Sequence, residues 1–307
     1  MDSADLAGDL STGHTLAHEV ARSARTAKAA LPVLRHLLAS DGPALVNEAV
    51  VARVRGMLRD LAAQIIAGGR GTLAAGEGTT DAGVDTLAES LARNDALLAH
   101  VHALALEGQL AERFEQRLSL DPVLSPLLQE LIASDDPLVA ELAMTTLAAQ
   151  ARFLQSQRRM ELPLHELPAD LLRAAIGHGA SADHAVLASY DESATRLALL
   201  ARLVKAMRRA VVACLAFDRA GLALFAEGLA AQAGIARSHA VLACHEGQAA
   251  RLALALRAAD CDLAGIERQL MLISAPGPEL REIAALTTQQ ARARLADGFP
   301  ASAGEGG

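Results

Sequence analysis

The chain has 307 residues, of which 52% are hydrophobic and 2% aromatic, with one Tyr, five Phe and no Trp. A chain of this length carries a soft prior of about two domains and buries roughly 75% of its extended surface, so its core must be built from closely packed small aliphatics, which favours helices over sheets. The balance of 28 basic against 36 acidic residues, net -8, opposes a molecule that tracks a phosphate backbone over its whole surface.

The start of the chain has acids, Asp2 and Asp5, where a signal peptide needs bases, and it lacks an apolar h-region, so export by that route is not expected. Cys214, Cys244 and Cys261 are odd in number and too few for a disulfide framework, which points to the cytoplasm. From His14 to Leu38 the chain reads as a helix with a break near Pro32. From Pro43 to Ala67, Val46, Val50, Val54, Met57, Leu61 and Ile65 recur at helical spacing, with Arg53 and Arg59 mostly off that stripe. These two helices form an N-terminal hairpin with a disordered start over 1–67. Gly68 to Gly83 reads as a flexible Gly/Thr-rich linker. A main helical domain is expected over 84–275, a C-terminal helix over 276–298 and a disordered tail over 299–307.

Within the main domain, Asn94-Asp95 opens a long helix that ends near Ser119, and Ser134-Asp135-Asp136-Pro137 caps another that runs to about Met160. Further helices are expected over Pro168 to Ile176, Glu192 to Phe217, Gly221 to Gln232, Arg237 to Ala258, Asp262 to Ile273 and Pro278 to Leu295, with Gly177 and Gly234 at C-caps. The most apolar stretch, Leu197 to Phe217, carries Arg202, Lys205, Arg208 and Arg209 through its middle, so no membrane span is expected. No run alternates long enough to demand a strand. The fold expected is all-α, a multi-helix array or bundle. Ala39-Ser40-Asp41-Gly42-Pro43 and Ala133-Ser134-Asp135-Asp136-Pro137 differ only at the fourth position and resemble the inter-helix turn of HEAT-type solenoids, or are two ordinary capped turns.

The segment Gln157-Arg158-Arg159-Met160-Glu161-Leu162-Pro163-Leu164-His165-Glu166-Leu167-Pro168 resembles a bacterial helical family designated domain of unknown function 2336. Gly221-Leu222-Ala223-Leu224-Phe225-Ala226-Glu227-Gly228-Leu229-Ala230, followed by Gly234-Ile235, is similar to the C-terminal portion of that family. The resemblance spans Leu97 to Ile273 and implies an all-helical cytosolic bacterial protein. It brings no reaction, ligand or catalytic residue with it.

Arg152, Gln155 and Arg159 fall on one side of their helix, with Arg158 at the edge, and Glu161, Glu166 and Asp170 follow directly. Either these acids fold back on the arginines and pin the Leu162-Pro163 turn, or the Arg/Gln face recognises a carboxylate, a phosphate or an acidic partner. The two coexist if one arginine stays unpaired. Gly71-Thr72-Leu73-Ala74-Ala75-Gly76 has phosphate-loop spacing, but Glu77-Gly78 stands where Lys and Ser/Thr are needed, so a linker is expected. The Gly234 turn has the shape of a helix-turn-helix reader, yet its second helix offers only Arg237 and Arg251 as fixed positive charges, and a packed helical hairpin is the alternative. Cysteines and histidines, among them His100 and His102, lack metal-ligand spacing, and no nucleophile, base and orienting acid occur together. No catalytic, cofactor or metal residue is therefore assigned. The function expected is that of a non-enzymatic scaffold or regulator that binds a protein partner through Arg152, Gln155, Arg158 and Arg159. A DNA-binding regulator using the Gly234 hairpin and a ligand sensor or enzyme with an inter-helix pocket are the alternatives, and the oligomeric state stays open.

Overall fold

The structure, a computed structural model, describes residues 17–26, 29, 48–69, 81–177, 184–273 and 280–298. All regular structure among these residues is helical, and none of it is strand. Residues 17–26 are helical (α1), followed by α2 (Glu48–Gly69), α3 (Asp81–Ala92), α4 (Asp95–Leu118), α5 (Pro126–Ile132) and α6 (Pro137–Arg159). Then come α7 (Ala169–Gly177), α8 (His184–Ser189), α9 (Arg196–Ala206), α10 (Phe217–Ala233), α11 (Arg237–Ala243), α12 (Ala249–Ala258), α13 (Leu263–Ile273), α14 (Leu280–Ala284) and α15 (Thr288–Gly298). No helix among the described residues is long and apolar enough to cross a membrane.

Local chemistry sets the helix ends that position the site. The Asn94 side chain accepts from Leu97 N–H to start α4, and Asp136 accepts from Leu138 and Val139 N–H to start α6, with Pro137 as first helical residue. Gly234, at φ +70° with nothing near its missing Cβ, ends α10 through bonds from its own N–H and that of Ile235 to Ala230 O. On α2 the expected stripe of Val50, Val54, Met57, Leu61 and Ile65 is buried against α3 and α4. Arg53 departs from expectation: it is buried, with its Nη2 2.5 Å from Glu112 Oε2 on α4.

One core runs from Val50 of α2 to Leu295 of α15. Its centre is α10, which packs on α4, α5, α9, α11, α12 and α13 and buries most of its length, while Arg219 stays at the surface in an ion pair with Glu130. Three of the few aromatics meet there edge to face, Phe114 to Phe217 at 4.6 Å and Phe217 to Phe225 at 5.2 Å between ring centroids.

Three expected long helices are broken. In 192–217, Arg196–Ala206 is α-helical, Arg208 turns to φ +51°, and Arg208–Leu215 continues as a 3-10 helix that sets Cys214 against Gly228 of α10. The stretch 237–258 breaks after α11, where the His245 side chain caps a 3-10 turn by accepting from Gly247 N–H. The last helix divides into α14 and α15 at Thr287, whose hydroxyl accepts from Gln290 N–H while Gln290 Oε1 accepts from Thr287 N–H, a reciprocal capping box. The expected linker is shorter than 68–83, since α2 runs to Gly69 and α3 begins at Asp81. The Gly71–Gly76 loop, the 39–43 turn, the partner helix of the N-terminal hairpin beyond 17–26, and the 299–307 tail lie outside the described residues.

Candidate functional site

The site is assembled around the C-terminal end of α6. Met160 takes φ +58°, and the Glu161 N–H bonds back to Ser156 O at 2.8 Å, which stops the helix. The chain then runs extended through Leu162 and Pro163, clamped by α2: Asp60 Oδ2 accepts from Leu162 N–H at 2.8 Å, Gln64 Nε2 donates to Leu162 O at 2.9 Å, and Gln64 Oε1 accepts from Leu164 N–H at 3.0 Å. A 3-10 turn (Leu164–Glu166) follows. Glu166 accepts from the backbone N–H of Arg196 at 2.8 Å, so its carboxylate sits at the start of α9, where a helix favours negative charge.

Between α6, this turn and α9 lies a cleft of about 160 Å³. Arg152, Gln155 and Arg159 line it from α6; Leu162, Pro163, His165 and Glu166 line it from the turn; Leu197 and Arg196 line it from α9, with Leu104 and Phe153 completing an apolar wall. Arg158, the fourth sequence-derived candidate, is exposed and outside the cleft. Arg152 and Gln155 are exposed at its mouth.

The expected fold-back of acids onto arginines forms at one pair, Glu161 with Arg159. Glu161 approaches Arg159 only to 3.9 Å, Glu166 is engaged at α9, and the turn is pinned by Asp60 and Gln64 from about a hundred residues upstream in the chain. Among the described residues, neither Arg152 nor Arg158 has an ion pair or hydrogen-bond partner.

Behind the cleft is a buried charge network that sequence reasoning missed. Arg196, 2% exposed, stacks over the Phe153 ring at 3.6 Å and donates from Nη1 and Nη2 to Glu107 at 2.9 and 2.8 Å, and from Nη1 to Gln150 Oε1 at 2.9 Å. Arg237 grips the same carboxylate with two bonds of 2.8 and 2.7 Å, and its Nε lies 3.1 Å from Glu227 Oε2. Burial alone would raise the Glu107 pKa, but the two guanidiniums outweigh it and hold the carboxyl well below its ordinary range. Burial raises the Glu227 carboxyl, with Arg237 opposing. The network ties α4, α6, α9, α10 and α11 together. Its signal in the sequence was the single acid in Leu104-Ala105-Leu106-Glu107-Gly108, a charge on an apolar face that needs buried partners.

The remaining candidates are placed as follows. Arg237, the first residue of the second helix of the Gly234 hairpin, turns inward to Glu107, and Arg251 is 1% exposed, so neither is presented to a phosphate backbone. His100 has its Nε2 sealed from solvent without a hydrogen-bond partner among the described residues, and burial, with Arg196 and Arg237, lowers its pKa to about 4. His102 is half-buried and lowered mainly by burial. Burial pushes the Cys214 and Cys244 thiols up to about 12 and Cys261 to about 11, so all three are protonated at neutral pH. Among the described residues no group of His, Cys, Asp and Glu is placed to hold a metal ion. No family model, curated protein or solved structure matches this chain.

Proposed function

We propose that the chain is a cytoplasmic helical scaffold or regulator that works by docking another protein, and that the C-terminal half of α6 with its adjoining cleft is the docking face. The observation that carries this reading is the pair of exposed guanidiniums, Arg152 and Arg158, that lack an acidic partner among the described residues of a chain with net charge -8. Nearby acids that would neutralise them are drawn off by α9 and by Arg159. Opposite charge on a partner gives orientation and register at such a face, and the apolar cleft wall gives area to bury. The resemblance to the bacterial helical family and the HEAT-like array belong to the same proposal. The cleft favours a second reading, a ligand sensor, because polar groups from α6, the turn and α9 converge on one enclosed volume. The inward turn of Arg237 and Arg251 gives a DNA reader no comparable support.

Affinity capture from the native host tests the docking face. The wild-type chain is expected to retain partners that the Arg152→Glu/Arg159→Glu chain loses; an unchanged set of partners overturns the proposal.

A further inference from the structure

We propose that the cleft beside α6 receives the carboxylate of a glutamate side chain carried on an acidic segment of the partner protein, with Arg152 as anchor. This rests on the docking reading and names the chemistry that the face recognises. A planar guanidinium matches a carboxylate bidentately, and Arg152 sits at the cleft mouth with no ion-pair partner among the described residues, although Glu161 and Glu166 line the same cleft. Arg159, seven residues on, lies about 10 Å further along the axis of α6, close to the roughly 9 Å between two acids three residues apart on one face of a polyproline II segment. Gln155 lies between them and offers an amide to the partner backbone.

One feature favours a carboxylate on a methylene stem over a phosphate. Phe153, Pro163 and Leu197 give the stem an apolar wall. A short acidic peptide with glutamate stems fits that wall. Arg158, equally exposed but outside the cleft, separates seating in the cleft from general attraction to positive charge.

The test is fluorescence anisotropy on the full chain with a labelled, end-capped alanine–leucine peptide that carries two glutamates three residues apart, and with its glutamine counterpart. The glutamate peptide is expected to bind, the glutamine peptide about tenfold or more weaker, and Arg152→Gln to cost about tenfold. Arg158→Gln is expected to change binding less than about twofold, and millimolar inorganic phosphate to leave the peptide bound. These substitutions are at exposed positions, and unchanged melting temperatures confirm folding. The inference is overturned if neither peptide binds, if both bind equally, if Arg158→Gln costs as much as Arg152→Gln, if phosphate displaces the peptide, or if free glutarate binds as tightly as the peptide. Loss of native partners by the Arg152→Glu/Arg159→Glu chain without glutamate-peptide binding would leave the docking face standing and remove only the glutamate chemistry. Unchanged capture would remove the face itself.

Discussion

Glu107 holds two guanidiniums with four charge-assisted bonds inside the core, and it has no solvent to share the load. Replacing it by Gln keeps the shape but turns one oxygen into an N–H₂ group that faces guanidinium donors, leaves Arg196 without its carboxylate and leaves Arg237 with Glu227 alone. Breaking a buried pair from one side costs about 3–5 kcal/mol. We expect Glu107→Gln to lower the unfolding free energy by that amount, read as a lower urea midpoint at unchanged m-value, whereas Arg152→Gln, at the exposed mouth of the cleft, changes it by less than about 0.5 kcal/mol. Equal midpoints for Glu107→Gln and wild type would show that the network is stability-neutral. The contrast also separates roles: the cleft floor, Arg196 on Phe153, is held rigid from behind by Glu107, while Arg152 and Gln155 face outward.

At the scale of elements, contact between helices is set by where a side chain is missing. The 3-10 helix Arg208–Leu215 lies so close to α10 that a Cβ on Gly228 would overlap the Cβ of Cys214. Both atoms belong to the stiff base of a side chain, so relief requires a shift of backbone. Gly228→Ala is expected to destabilise by about 1–3 kcal/mol, as overpacking does. Adding Cys214→Gly should recover part of that loss, while Cys214→Ala, which keeps the offending Cβ, should not; the three thermal midpoints decide it. The same elements show what a linear sequence discloses. The starts of α4 and α6 were legible because Asn94 and Asp136-Pro137 act within their own first turn. The break at Arg208 was not, because its cause is tertiary, Cys214 against Gly228; the break after Cys244 is local, the His245 ring accepting from Gly247 N–H two residues on in a polar His-Glu-Gly-Gln stretch. The break before α15 carried a readable signal, Thr287-x-x-Gln290. At the site, the one-sided placement of Arg152, Gln155 and Arg159 was readable from helical spacing. The diversion of Glu166 to α9 and the clamp from Asp60 and Gln64 were not, since each depends on a residue between 30 and 102 positions away.

For the whole molecule, the buried titratable groups make acid the condition that unfolds it. His100 has a pKa of 6.5 when unfolded and about 4 when folded, because burial and the charges of Arg196 and Arg237 disfavour the imidazolium more than Asp170 and Glu107 favour it. Between those values the unfolded chain binds a proton that the folded chain refuses, so stability falls as pH falls. The loss is about 2 to 3 kcal/mol by pH 4. His239, lowered by partial burial and by Arg251, acts in the same direction but more weakly, because it is only half-buried and water offsets part of the shift. Glu107 adds its own loss only below its unfolded value of 4.5, since its carboxylate is favoured in the fold. Asp60 and Glu227 oppose the trend: burial raises both, so the folded state takes up their protons first. The histidines therefore govern the window from pH 6.5 to 4.5. Melting temperature is expected to drop across it, and His100→Leu, which removes one of these proton-binding groups, should flatten the curve by roughly 5 °C by pH 4. A His100→Leu chain whose melting temperature follows pH as steeply as the wild type would show that the sealed imidazole is not what makes the fold acid-labile.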